Sequence, residues 1–160
     1  MDTRLKTLLI ALCCMALAAC EPYNCTLGNV TAMYTTFYQN NTKVTVNDTL
    51  TVTACGSDSI LYNRAVNRSQ LTLPLSYWQS EDTLVLNYKG KDYLCRDTIW
   101  IAKTNQTHFE SPECPVAFFH TITAVRSTHI FIDTITITRP NVDYGTTENL
   151  QIHLLADTGN

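Results

Sequence analysis

Residues 43–54 read Lys-Val-Thr-Val-Asn-Asp-Thr-Leu-Thr-Val-Thr-Ala, and their apolar and polar side chains alternate with a period of two. A strand sends successive side chains to opposite faces. Val44, Val46, Leu50, Val52 and Ala54 therefore share one face, and Lys43, Thr45, Asn47, Thr49, Thr51 and Thr53 share the other. Residues 83–95 predict a hairpin: Leu84, Leu86 and Tyr88 alternate, Lys89-Gly90-Lys91-Asp92 turns, and Tyr93-Leu94-Cys95 returns. Further strands are expected at 31–38, 70–78, 97–103, 116–125 and 128–138, the last a Thr/Ile/Phe run that disfavours helix. No helical period of three or four occurs beyond residue 20. Seven or so short strands with turn signals between them predict an all-β fold, a single-domain β-sandwich over residues 21–139. Residues 140–160 read as a polar C-terminal tail that either adds one strand at 150–155 or lies loose.

Composition narrows the class. The 160 residues are 45% hydrophobic and only 16% charged, with 25 Thr and 12 Asn. So many β-branched residues with so little charge exclude a disordered tail, a coiled coil and a helical bundle. A formal net charge of −3 removes any broad cationic surface, so nucleic acid is not an expected partner.

The N-terminus is an address. Arg4 and Lys6 precede an apolar run from Leu8 to Ala19, and small residues close it, which is the pattern of a secretory signal peptide over residues 1–20. Cleavage is expected before Glu21. Leu17-Ala18-Ala19-Cys20 also fits a bacterial lipobox, in which Cys20 would be lipidated and become the first mature residue. No later stretch approaches 18 uninterrupted apolar residues, so no transmembrane segment is expected in the mature chain.

Sequons for N-glycosylation occur at Asn24, Asn29, Asn40, Asn47, Asn67 and Asn105. Chance placement at this Ser/Thr content gives about 2.4, so six is an excess, and it points to a eukaryotic secretory route. The mature chain keeps Cys25, Cys55, Cys95 and Cys114, which in an oxidising compartment read as disulfides with three possible pairings. No Cys-x-x-Cys or paired-His spacing accompanies them, so zinc is not expected, and neither is any other cofactor.

Trp78, Leu94-Cys95, Cys114 and the apolar run Val116–Val125, preceded by Asn47-Asp48-Thr49-Leu50, form a recognisable series. It resembles the immunoglobulin-like domain of the cytomegalovirus glycoprotein family with one Trp and two Cys, related to adenovirus early-region-three glycoproteins. The resemblance covers roughly residues 43–138. It implies an immunoglobulin-like sandwich with a Cys95–Cys114 disulfide packed on Trp78 as core aromatic, and Cys25 and Cys55 left to make a second bridge. It also implies a secreted viral protein that binds a host immune or cell-surface protein and modulates the immune response.

No catalytic motif is present. His108, His120, His129 and His153 are scattered, and Asp82, Asp92 and Asp97 are expected at turns. An enzyme is therefore not expected. For a binding protein the aromatics matter more: Tyr34, Phe37 and Tyr38 cluster, Tyr77 adjoins Trp78, and Trp100 lies on the face opposite Ile99 and Ile101. The sequon-free segment 110–160, around Arg126, is the expected partner-binding surface. The alternative function is a bacterial β-sandwich lipoprotein anchored through Cys20.

Overall fold

Side chains that alternate can bury one face only if a second sheet covers it, and two sheets do so here. The computed structural model describes residues 25, 31–57, 59–112 and 114–155. The signal peptide and the sequons at Asn24 and Asn29 lie outside the described residues. Among those residues are eleven strands and no helix.

The first sheet holds β1 (Met33–Gln39), β2 (Thr42–Lys43), β5 (Gln70–Leu73), β9 (Ile132–Ile137) and β11 (Leu150–Leu154). Its order is β2-β1-β11-β9, with β5 beside β2 on the same flank of β1. β1 and β11 run parallel, Thr35 opposite Leu150 and Phe37 opposite Ile152. The second sheet has the order β10-β8-β7-β6-β3-β4. Its strands are β3 (Thr49–Ala54), β4 (Ser59–Ala65), β6 (Glu81–Lys89), β7 (Leu94–His108), β8 (Ala117–Ser127) and β10 (Asn141–Val142). Met33, Phe37, Leu71, Leu150 and Ile152 of the first sheet meet Leu50, Val52, Leu84, Leu86, Ile99, Ile101 and Ile122 of the second in one buried cluster. The chain is an all-β, immunoglobulin-like two-sheet sandwich.

The alternating segment 43–54 is not one strand. Thr42–Lys43 pairs with β1 in the first sheet, Val46 bridges Arg68, and Thr49–Ala54 pairs with β6 in the second. The alternation survives because the segment crosses between sheets along a single core, burying Val46, Leu50 and Val52 in turn. The predicted 83–95 hairpin forms, with Lys89 opposite Leu94. Gly90 lets the Tyr93 ring lie against the backbone, because a Cβ at this position would lie 2.4 Å from that ring and displace it. The strand expected at 70–78 stops at Leu73, since Pro74 has no N–H to continue the ladder.

Several expectations are corrected. Residues 140–160 are not merely a tail: β11 lies between β1 and β9, with Leu150 and Ile152 each 1% exposed. The β4 edge strand had no clean alternation to announce it, and its pairing with β3 shifts register twice. Cys114 bonds to Cys25 and not to Cys95. Cys95 stands at the start of β7 and Cys114 beyond its end, separated by a strand of about 45 Å, whereas a disulfide needs Cα atoms within about 7 Å. Cys55 and Cys95 are free thiols. They too are far apart, because Cys55 follows the Ala54–Leu84 pair while Cys95 faces Tyr88, which faces Leu50. Trp78 is 64% exposed, so it is no core aromatic. Of the Tyr34, Phe37, Tyr38 cluster, Phe37 is wholly buried in the core and the two tyrosines are half-buried. Trp100 is half-buried beneath Arg126, whose guanidinium sits 4.3 Å over its ring and pairs with Glu81 at 2.9 Å.

Asp97 is inside β7 and fully buried, not at a turn. Its carboxylate accepts hydrogen bonds from the Thr128 hydroxyl and from the backbone N–H groups of Ile130 (2.9 Å), Phe131 (2.7 Å) and Ile132 (2.9 Å). These groups belong to the crossover from β8 in one sheet to β9 in the other. Burial alone would raise the Asp97 pKa, but the four donors hold it below the ordinary carboxylate value. A lowered folded-state pKa gives stability that is present above the unfolded value and lost as pH falls through the folded one. Asp97→Asn keeps the shape but loses the charge and part of the acceptor capacity. It is expected to lose about 3 kcal/mol in urea unfolding at pH 7, with a shallower decline in acid than the parent. An unchanged unfolding midpoint would remove Asp97 from this role.

Candidate functional site

Three inward-facing rows of the second sheet change from apolar to ionisable at the same end. Leu86 and Leu84 of β6 are followed by Asp82, Ile99 and Ile101 of β7 by Lys103, and Ile122 of β8 by His120. Each of the three polar residues is buried. A buried charge is tolerated only when it is paired and hydrogen-bonded, and this set satisfies itself on the loop at 74–80.

Lys103 Nζ lies 3.5 Å from the Asp82 carboxylate and donates to the backbone carbonyls of Ser76 and Gln79 (2.7 Å) and to Asn105 Oδ1 (2.8 Å). Asn105 Nδ2 donates to the carbonyls of Tyr77 (3.0 Å) and Gln79 (2.8 Å). Asp82 accepts from the Ser76 N–H at 3.0 Å and from the Ser76 hydroxyl. His120 Nδ1 sits 2.8 Å from Asn105 Oδ1. Burial, then the neighbouring Lys103 charge, pushes the His120 pKa down to about 4 against the pull of Asp82. His120 is therefore neutral near pH 7 and can donate to Asn105. Burial likewise lowers the Lys103 pKa, opposed by Asp82.

The outcome is a loop whose carbonyls at positions 76, 77 and 79 are held from below. Its upper side presents Tyr77 and Trp78, 54% and 64% exposed, in an edge-to-face pair with centroids 4.8 Å apart. Tyr77 also stacks on Phe118 of β8 at 4.7 Å. A cavity of about 220 Å³ opens beside the loop, lined mainly by apolar groups such as Leu61, Leu75 and Leu84, with Trp78, Gln79 and the exposed Cys55 at its margin. At the same end the β7–β8 loop exposes Phe109 (67%) and Val116 (37%) and carries Cys114, bonded to Cys25. The site can hold a partner on a pre-positioned aromatic edge. Asp82 and Lys103 bond directly to the loop, and His120 meets it through Asn105.

The other expected site residues divide clearly. Asn40, Asn47 and Asn67 are exposed, Asn40 and Asn67 with left-handed backbone that Asn tolerates. All three lie toward the opposite end. Asn40 follows the far end of β1, whose near end adjoins Thr31, bonded to the Phe118 carbonyl at 2.6 Å. Asp48, beside Asn47, binds the hydroxyls of Tyr88 and Tyr93 at 2.8 Å each. Asn67 precedes Arg68, which pairs with Val46. Asn105 is exposed too, but at the loop's own end, and its side-chain amide is committed to two loop carbonyls. Asp82 is the second residue of β6 and not in a turn, while Asp92 is exposed in the β6–β7 turn. His108 stacks on Phe119 at 4.3 Å, His129 Nδ1 meets the Asp133 carbonyl at 2.7 Å, and His153 lies against Tyr38. Among the described residues no three His, Cys, Asp or Glu side chains gather as a metal site. Also among the described residues, no helix is long and apolar enough to cross a membrane.

The Asp82–Lys103–His120 set was missed from sequence, although a signal existed. Asp82 and Lys103 each occupy the next period-two position after an apolar pair, and His120 the next after Ile122, so extending the alternation one step would have placed all three inside.

Two expectations follow for this set. Lys103→Met leaves the Asp82 charge buried without its partner and frees the loop carbonyls. A loss of about 3–5 kcal/mol is expected in chemical unfolding, with faster amide exchange across 76–80. The second concerns pH: an unfolded histidine titrates near 6.5, whereas His120 in the fold titrates near 4. The unfolded chain thus binds a proton that the fold refuses, so this stability is full above pH 6.5 and is lost as pH falls toward 4. Unfolding midpoints measured from pH 7 to pH 4 should fall less steeply in His120→Gln than in the parent.

Residues 49–154, two-thirds of the chain, match the DUF6452 family, described as a family of unknown function, and the chain belongs to it. The match spans β3 to β11 and includes Asp82, Asp97, Lys103 and His120. No curated protein and no solved structure matches the chain.

Proposed function

We propose that this member of the DUF6452 family is an extracytoplasmic binding module that works by occupancy, with its aromatic edge at Tyr77 and Trp78 as the contact surface, and that Cys20 carries a lipid holding it at a membrane. One observation carries the binding reading: a tryptophan 64% exposed stands on a loop whose carbonyls are fixed by buried Lys103 and Asn105. An exposed tryptophan costs solubility, and a polar network that immobilises it cuts the entropy lost on binding. Asp82 and Lys103 are engaged with that loop and His120 with Asn105, which itself holds the loop, and this supports a structural use of these groups.

The lipid reading rests on Leu17-Ala18-Ala19-Cys20. It is preferred to the secreted viral glycoprotein because two arrangements that the resemblance implied, a Cys95–Cys114 disulfide and a core Trp78, are not formed. Cys114 pairs with Cys25, and Trp78 is exposed. The Asn105 sequon also has its amide engaged. A freely secreted, glycosylated module that binds a host immune or cell-surface protein is the second reading, and the exposure of Asn40, Asn47 and Asn67 favours it.

Intact mass separates the two. Expressed in a bacterium, the mature chain is expected to begin at Cys20 and carry acyl mass, which Cys20→Ala abolishes. A chain beginning at Glu21 in bacteria, without acyl mass, would favour the secreted form instead.

A further inference from the structure

We infer that the partner of the aromatic edge is the bilayer surface itself: Trp78, Tyr77, Phe109 and Val116 rest in the headgroup region of the membrane that holds the Cys20 lipid. The inference rests on the lipidated reading of Cys20, and it names what the contact surface touches.

Chain length and the disulfide set the geometry. Cys20 and Cys25 are five residues apart, so their Cα atoms are at most about 17 Å apart even when fully extended. Cys25 is bonded to Cys114, with Cα atoms 5.7 Å apart, in the loop between β7 and β8. A lipid on Cys20 therefore leaves the protein at that loop. The opposite end is out of reach, because β7 alone runs from Leu94 to His108, about 46 Å. Anchoring thus sets the end carrying Phe109, Val116, Tyr77 and Trp78 against the bilayer and directs Leu94 and Ile130 away from it.

The chemistry of that end suits an interface. Trp and Tyr favour the boundary between headgroups and acyl chains, where an apolar ring and a polar edge are both accommodated. Four exposed or half-exposed apolar side chains on two adjoining loops supply it here. Segments 74–80 and 105–121 contain no Lys or Arg. Segment 105–121 also carries Glu110 and Glu113, which an anionic surface repels, so the contact is with zwitterionic lipid, where it does not depend on salt. Asn40, Asn47 and Asn67 are exposed at the other end and do not obstruct it, while Asn105, exposed at this end, has its side-chain amide bonded to the loop carbonyls of Tyr77 and Gln79.

The test uses the full lipidated chain carrying Trp100→Phe, which leaves Trp78 as the reporter, reconstituted in phosphatidylcholine vesicles with brominated acyl chains. Trp78 emission should shift to the blue and fall by about twofold relative to unbrominated vesicles, equally at low and high salt. Phe109→Asp with Val116→Asp should abolish the quenching while leaving the lipid on Cys20 and the near-ultraviolet dichroism intact. A lipidated chain whose Trp78 emission is unquenched overturns the membrane contact while leaving the anchor in place. A chain without lipid, read from its mass, overturns the anchor and the contact together. Quenching that high salt abolishes overturns the apolar contact in favour of a charged one.

Discussion

Asp97 is the point on which the sandwich turns. An immunoglobulin-like fold needs its chain to leave one sheet and enter the other, and a crossing segment has backbone N–H groups with no strand to pair with. Three of them, at Ile130, Phe131 and Ile132, converge on a single buried carboxylate supplied by the opposite sheet. Unpaired and buried, each would cost more than an ordinary hydrogen bond returns. Satisfied together, they fix where β9 begins and hence the register in which Ile132, Ile135 and Ile137 meet β11.

A second polar set acts at one end of the same core. Asp82, Lys103 and His120 close the sandwich where the apolar rows of β6, β7 and β8 run out, and Asp82 and Lys103 reach into a loop with no regular pairing of its own. Replacing such a set with hydrophobic residues often leaves stability unchanged or improves it. Its value here is positional, because a hydrophobic plug could not hold the carbonyls of Ser76, Tyr77 and Gln79. The rigid aromatic edge above is the consequence, and the Cys25–Cys114 bond brings the N-terminal segment to that same end.

Strands with a clean alternation were legible in advance. Leu84 and Leu86 lead to Lys89-Gly90-Lys91-Asp92, and the hairpin forms with Gly90 under the Tyr93 ring. The 128–138 run contains β9, although its first residues serve as the crossover to Asp97. β4 was hidden because an edge strand with Ile60 exposed and Arg64 in left-handed backbone has no buried face to impose a period. β11 was left open because Leu150-Gln151-Ile152-His153-Leu154 follows a polar stretch, and nothing local indicates that it pairs with a strand more than a hundred residues earlier. Trp78 misled for a related reason. An aromatic residue before a cysteine is as compatible with a rim as with a core until the disulfide partner is known.

The sequence by itself determined the all-β class, the sandwich built from alternating strands and the Lys89–Asp92 turn. Each is encoded within about a dozen residues, by period, by glycine or by a short motif. Tertiary structure alone decided that Cys114 bonds to Cys25, that Asp97 and Asp82 are buried, that Trp78 is exposed and that β11 is interior. Those outcomes depend on which distant segments become neighbours. A carboxylate reads as a turn residue until the N–H groups that it serves, more than thirty positions away, have been brought against it.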